Sequence, residues 1–224
     1  MIIPPRFNGP PDSAHGGYTA GMLAGYLDSP TGAEVTLRLP PPLATPLDVR
    51  TTPDGIEVHD GDRLVAAAVP LVSPVTDDVP AVSWEEAMAA AEHYPGFAAH
   101  PFPTCYACGP RRPPGDGLRL FPGRLPDGRT AAPWVVPEDI EPAVVWAALD
   151  CPGGWSIAVE SRPYVLGRIA ARVDGLPAAG DGCVVMGGLV SAAGRKADVL
   201  STVYSPQGTV LARARSVWIA LAGA

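Results

Sequence analysis

Two stretches decide how this chain reads: Ala14-His15-Gly16-Gly17-Tyr18-Thr19-Ala20-Gly21 and Cys151-Pro152-Gly153-Gly154-Trp155-Ser156-Ile157-Ala158. Laid over one another, they match in a Gly-Gly pair, an aromatic, a hydroxyl and then small apolar residues. Self-similarity at long range signals an internal duplication, and missing it misassigns the whole fold. The matches continue in order. Leu37-Arg38-Leu39 with a Pro-rich turn and Leu43 corresponds to Ala171-Arg172-Val173 with Asp174-Gly175-Leu176. Asp60-Gly61-Asp62-Arg63-Leu64-Val65-Ala66 corresponds to Pro206-Gln207-Gly208-Thr209-Val210-Leu211-Ala212.

Each half reads as a helix followed by strands. Tyr18, Met22 and Tyr26, with Leu23 and Leu27 beside them, fall at the spacing of one buried helix stripe. Gly21 and Gly25 are poor helix formers, so the helix is expected to lie close against something flat. Glu34 to Leu39 alternates as a half-buried strand. Gly55 to His59, the turn Asp60-Gly61 and Arg63 to Ala67 read as a hairpin. The second half offers strands over Leu166–Val173, Gly182–Val190, Ala197–Tyr204 and Thr209–Leu221. Between the halves, Ser83-Trp84-Glu85-Glu86 carries a capping-box pattern opening an Ala-rich helix that stops before Pro95. Residues 95 to 128 are dense in Pro and Gly, with a short strand expected over Gly117–Phe121, and the boundary between halves falls near residue 95.

Composition limits the functions available. At 47% apolar and 17% charged, the 224 residues have ample material for a core. A net charge of −7, with Lys196 the only lysine among 16 basic residues, offers no cationic face for a nucleic-acid backbone. The start at Met1 to Phe7 lacks a basic and then apolar signal, and the longest apolar runs, Leu64–Val72 and Ser216–Ala222, fall well short of the roughly 20 residues of a membrane helix. A cytoplasmic protein without membrane contact is expected. The four cysteines (Cys105, Cys108, Cys151, Cys183) are expected as free thiols.

A helix entered through Gly-Gly and wrapped by an antiparallel sheet, present twice, resembles the double hotdog arrangement of the TesB-like acyl-CoA thioesterases. His15 to Gly21 is similar to that family's Gly-Gly helix entry, and Ala147-Ala148-Leu149-Asp150 to the place where its catalytic aspartate precedes the second central helix. Cys105-Tyr106-Ala107-Cys108-Gly109-Pro110 with Gly117-Leu118-Arg119-Leu120 looks like the opening of PaaI-like single-domain hotdog thioesterases. The resemblance implies an α+β fold: a tandem hotdog of two antiparallel sheets, each wrapping a long central helix, paired into one continuous sheet. The units would span 1–82 and 101–224, with a linker helix and loop at 83–100. It also implies thioester hydrolysis on acyl-CoA as substrate, with no cofactor and no metal, by a homo-oligomer. The family's water-holding Gln and Thr have no match; the nearest polar residues by strand position are Arg168 and Ser216.

The chemistry expected of the helix starts is independent of that likeness. A first helical turn has unpaired N–H groups and partial positive charge, suited to a thioester carbonyl that gains negative charge in the transition state. Gly16-Gly17 and Gly153-Gly154 are the candidates, against a bland role in close helix packing. Asp150 is expected to act on water or to cap the second helix with Pro152 in its first turn. Asp12 and Ser13 are the corresponding caps in the first half. His15 is the titratable candidate beside Gly16-Gly17. Tyr18, Trp146 and Trp155 are placed along an acyl tunnel, and Arg195-Lys196 or Arg111-Arg112 against coenzyme A phosphates. Cys105-x-x-Cys108, with His100 and Cys151, could hold zinc, but no second close ligand pair exists. A non-catalytic acyl-CoA binding protein and a hotdog enoyl-CoA hydratase or dehydratase stay open as alternatives.

Overall fold

The computed structural model describes residues 1–221. Ten strands make one antiparallel sheet: β1 (Ala33–Leu37), β2 (Asp48–Thr51), β3 (Ile56–Asp60), β4 (Arg63–Pro70), β5 (Gly123–Arg124), β6 (Thr130–Val135), β7 (Tyr164–Val173), β8 (Gly182–Ala193), β9 (Lys196–Tyr204) and β10 (Val210–Ala220). Their order is β2-β3-β4-β1-β7-β10-β9-β8-β6-β5. From the centre outward, β1-β4-β3-β2 on one side repeats as β7-β10-β9-β8 on the other. The duplication is therefore built into the sheet, and its seam is the β1–β7 pair, with Val35 opposite Ile169. The expected tandem arrangement is present.

Strands β2, β5 and β6 go beyond the expectation. Pro133 in β6 lies past the residues that pair with β5, on an edge where a missing N–H is tolerated. The strand expected over Gly117–Phe121 is not one. That segment is bonded to the cysteine loop instead, Leu118 N–H to the Tyr106 carbonyl and Leu120 N–H to the Ala107 carbonyl, both at 2.9 Å.

Three helices accompany the sheet: α1 (Gly16–Ala24), α2 (Trp84–Glu92) and α3 (Pro142–Trp155). Helices α1 and α3 run antiparallel against each other. A Cβ on Gly17 would meet the Trp146 carbonyl at 2.6 Å, and one on Gly21 the Ala143 Cα at 2.6 Å. The flat neighbour expected for Gly21 is thus the other helix rather than the sheet, while Gly25, just past the helix end, is exposed and packs against neither. Enclosed between its partner and the sheet, α1 has almost no solvent face. It ends at Ala24, so the expected stripe fails at Tyr26, which lies beyond the helix and is half exposed. At nine residues it is also short, where a long central helix was expected.

The second helix start is corrected as well. Helix α3 begins at Pro142, and Gly153-Gly154 closes it. There the glycines serve packing: a Cβ on Gly153 would meet Ser201 Oγ at 2.7 Å, and one on Gly154 the Trp218 ring at 2.4 Å. Pro152 has no N–H for the helix ladder, and the N–H of Gly153 donates to Ser201 Oγ at 3.0 Å. Asp150 is therefore inside the helix and does not cap it. The capping box at α2 is present: the Glu86 N–H donates to Ser83 Oγ, and the Ser83 N–H to the Glu86 carboxylate. Helix α2 packs against β5, β6 and β8. No helix among the described residues is long and apolar enough to cross a membrane.

Candidate active site

The antiparallel helix pair brings the start of α1 to the end of α3. His15 caps α1, its Nδ1 accepting the Tyr18 N–H at 3.2 Å. Asp150 Oδ2 accepts the Gly17 N–H at 2.8 Å and lies 3.6 Å from His15 Nε2. Asp150 Oδ1 is buried and has no partner among the described residues. The Thr19 N–H goes to the His15 carbonyl, so of the first-turn donors only that of Gly16 has no protein acceptor among the described residues. The expectation that both Gly16 and Gly17 amides hold a substrate carbonyl reduces to Gly16, because Asp150 occupies the other.

Burial is the largest influence on Asp150 and pushes its carboxyl up to about 6, against the opposing pull of His15 and the Gly17 N–H. For His15, burial favours the neutral ring, but Cys105 and Asp150 outweigh it and raise the imidazole above its ordinary value. Three thiols adjoin the pair. Cys151 Sγ lies 3.4 Å from His15 Nε2 and 3.9 Å from Cys105 Sγ. Hydrogen bonds from Cys108 and Cys151, then His15, hold the Cys105 thiol well below the usual range. Burial and Cys105 push Cys108 up, and hydrogen bonding to Cys105 and Cys108 pushes Cys151 up.

These groups form the polar wall of a cavity of about 570 Å³ whose other walls are largely apolar, with Leu37, Phe102, Val159, Leu166 and Trp218 among them. Of the residues expected at the site, His15, Gly16, Asp150, Gly154, Trp155 and Arg195 line it. The others lie elsewhere. Gly17 sits behind Asp150, and Trp146 is buried against α1. Tyr18 stacks on Phe7 at 3.8 Å and donates its hydroxyl to Glu141. Gly153 is packed on β9, Lys196 is exposed at the β8–β9 turn, and Arg168 pairs with Glu34 at 3.7 Å on the exposed side of β7. Ser216 is buried within β10. Arg112 is committed to structure, donating to the Thr104 and Arg6 carbonyls, to Asn8 and to Asp116.

The loop carrying His100, Phe102, Cys105 and Cys108 forms part of the wall that sequence periodicity does not place. Its signals were the Cys-x-x-Cys spacing and the likeness of Cys105–Pro110 to a hotdog opening. His15 Nε2, Cys105 Sγ and Cys151 Sγ lie within 4.8 Å of one another, close enough to share a metal ion. The ligand missing from the sequence pattern thus comes from distant residues. As arranged, however, His15 Nδ1 accepts an N–H, so Nε2 bears the proton that a metal would have to displace.

No family model matches the sequence, and no curated protein matches it. Solved structures similar to nearly the whole chain include a putative thioesterase from Novosphingobium aromaticivorans, at 15% identity and a TM-score of 0.60, covering 98% of this chain and 93% of that one. The tesB protein of Mycobacterium avium subspecies paratuberculosis matches at 13% identity and 0.59, covering 93% and 87%. A conserved protein of unknown function with a hot dog fold from Alicyclobacillus acidocaldarius matches at 14% and 0.56, covering 95% and 89%. These likenesses establish the fold: the chain is a double hotdog.

Proposed function

We propose that this chain hydrolyses acyl thioesters, with acyl-CoA as the substrate class. The observation that carries the reading is Asp150. Its carboxylate is anchored through Oδ2 on the Gly17 N–H, while the buried Oδ1 is left without a partner at the wall of an apolar cavity. The acyl chain occupies that cavity, and the Gly16 N–H donates to the thioester carbonyl oxygen as it gains charge. Asp150 Oδ1 accepts a proton from water as the water oxygen attacks the carbonyl carbon. The carbon–sulfur bond then breaks, and the thiolate leaves and takes a proton. A carboxyl near pKa 6 is suited to this, being ionised at neutral pH yet a stronger base than an exposed aspartate. Arg195 and Arg38, on the same cavity, are cations available to a coenzyme A phosphate. The thioesterase named among the similar folds supports the reading at the level of reaction class.

The test is thiol release from short, medium, long and aromatic acyl-CoAs. Turnover of at least one class is expected, and none across the panel would sink the proposal. The 3.6 Å approach of His15 to Asp150 also suits a second reading, addition of water to an enoyl thioester, since it places a base and an acid at one substrate. Loss of enoyl absorbance without thiol release distinguishes it.

A further inference from the structure

The hydrolytic mechanism makes no use of the three thiols on the cavity wall. Cys105 Sγ and Cys151 Sγ stand 3.9 Å apart, and Cys108 adjoins both, whereas the fourth free cysteine, Cys183, is in β8. Two imidazoles face this group, His15 Nε2 at 3.4 Å from Cys151 Sγ and His100 Nε2 at 3.4 Å from Cys108 Sγ. In each ring Nδ1 already accepts a backbone N–H, from Tyr18 at 3.2 Å and from Phe102 at 2.9 Å. Each neutral ring therefore carries its proton on Nε2 and directs it at sulfur. Among the three thiols it is Cys105 that its neighbours, Cys108 and Cys151 and then His15, favour as the thiolate, the reactive form. The same tautomer disfavours metal binding through these rings, since a ligating imidazole gives its lone pair and donates from its other nitrogen.

We propose that Cys105 and Cys151 are a redox-active dithiol that hydroperoxides oxidise to a disulfide on the cavity wall. The Cys105 thiolate attacks a peroxide oxygen, the O–O bond breaks, and a sulfenic acid and water form. Cys151 then attacks that sulfur, releasing a second water. Two thiols and one hydrogen peroxide thus become one disulfide and two waters. The sulfurs must close from 3.9 Å to about 2.05 Å. Cys105 is on a loop rather than in a helix or strand, and both residues line a cavity that admits so small an oxidant. The consequence for hydrolysis rests on the function proposed above. Oxidation takes a thiol acceptor from the His15 Nε2–H and leaves it to Asp150 Oδ2 at 3.6 Å, weakening the base.

The full chain, reduced, treated with hydrogen peroxide and then alkylated, should carry two alkyl groups where the untreated reduced chain carries four, and yield a Cys105–Cys151 crosslinked peptide, reversed by dithiothreitol. Cys105→Ser and Cys151→Ser should abolish the crosslink and Cys183→Ser should retain it, with thermal melting reporting whether each variant folds. Acyl-CoA hydrolysis by the oxidised protein should fall by more than about tenfold. A crosslink absent from the wild-type protein, or joining other cysteines, overturns the dithiol, as does stoichiometric zinc in the purified protein that leaves only when the thiols are alkylated. A crosslink in a protein that hydrolyses nothing supports the dithiol and overturns only the hydrolytic reading; active hydrolysis without a crosslink does the reverse.

Discussion

Asp150 and Gly17, separated by 133 positions, are joined by a 2.8 Å hydrogen bond from the glycine amide to the aspartate Oδ2. The bond links the two halves of the duplication at the point where the carboxylate faces the cavity. Because α1 and α3 are antiparallel, the positive end of one helix lies beside the negative end of the other, so neither dipole alone sets the charge of Asp150.

Asp150→Asn keeps the shape and an acceptor oxygen for Gly17 but cannot take a proton. Turnover should fall by about 10²- to 10⁴-fold with the melting temperature at neutral pH not lowered, as measured by thiol release and thermal denaturation. A variant with near-normal rates would remove Asp150 from the chemistry.

Activity should rise with pH through about 6 and level off above it, since the base form is the working one. Stability carries the opposite sign. The folded carboxyl is raised from 3.8, so the folded state binds the proton more tightly, and stability from this group is lost as pH climbs from about 4 to about 6. The interval corresponds to roughly 3 kcal/mol at most, and chemical denaturation across that range should show a slope that is absent in Asp150→Asn.

His15 has two separable duties, the cap through Nδ1 and the approach of Nε2 to Asp150 and Cys151. His15→Ala should cost about 0.5–2 kcal/mol of stability by removing the cap. His15→Asn should recover much of that stability, since asparagine caps well, but not the rate. Equal rates in the wild type and His15→Asn would show that the ring acts only as a cap.

Gly17→Ala should destabilise by about 1–3 kcal/mol, because the new methyl group meets the Trp146 carbonyl at 2.6 Å and Asp150 Cβ at 2.7 Å. The rate should fall together with stability, the helix pair being pushed apart beside the base. An unperturbed melting curve would contradict the close packing of α1 on α3.

The run of a helix and then strands in each half was legible for seven of the ten strands, because apolar and polar residues alternate along them and the turns at Asp60-Gly61 and Gly208 fall at corresponding places. The central helices were less so. Cys151-Pro152-Gly153-Gly154 has the letters of a helix entry, yet a proline is tolerated near the end of α3, where Ser201 takes the Gly153 N–H, and the glycines answer to Ser201 and Trp218 across the interface. Such contacts leave no periodic trace. Neither helix shows an amphipathic stripe because neither has a wet side. His15 and Asp150 could be picked out as residue types beside glycine pairs, but their meeting depends on the antiparallel helix pair. The approach of Cys105 to Cys151 depends on a loop anchored by bonds such as that from the Tyr106 N–H to the Asn8 carbonyl, and local patterns do not encode it.

The continuous sheet with its seam at Val35 and Ile169 has a further consequence. In a pair of identical subunits every substitution appears twice, so an improvement at one helix junction is imposed on the other. With both halves on one chain the junctions are free to diverge. At the start of α1 a histidine cap and an unspent amide face a carboxylate, while the start of α3 is Pro142, which has no amide proton to offer. The two ends of this molecule can be changed independently, one for the cavity it lines and the other for holding the halves together.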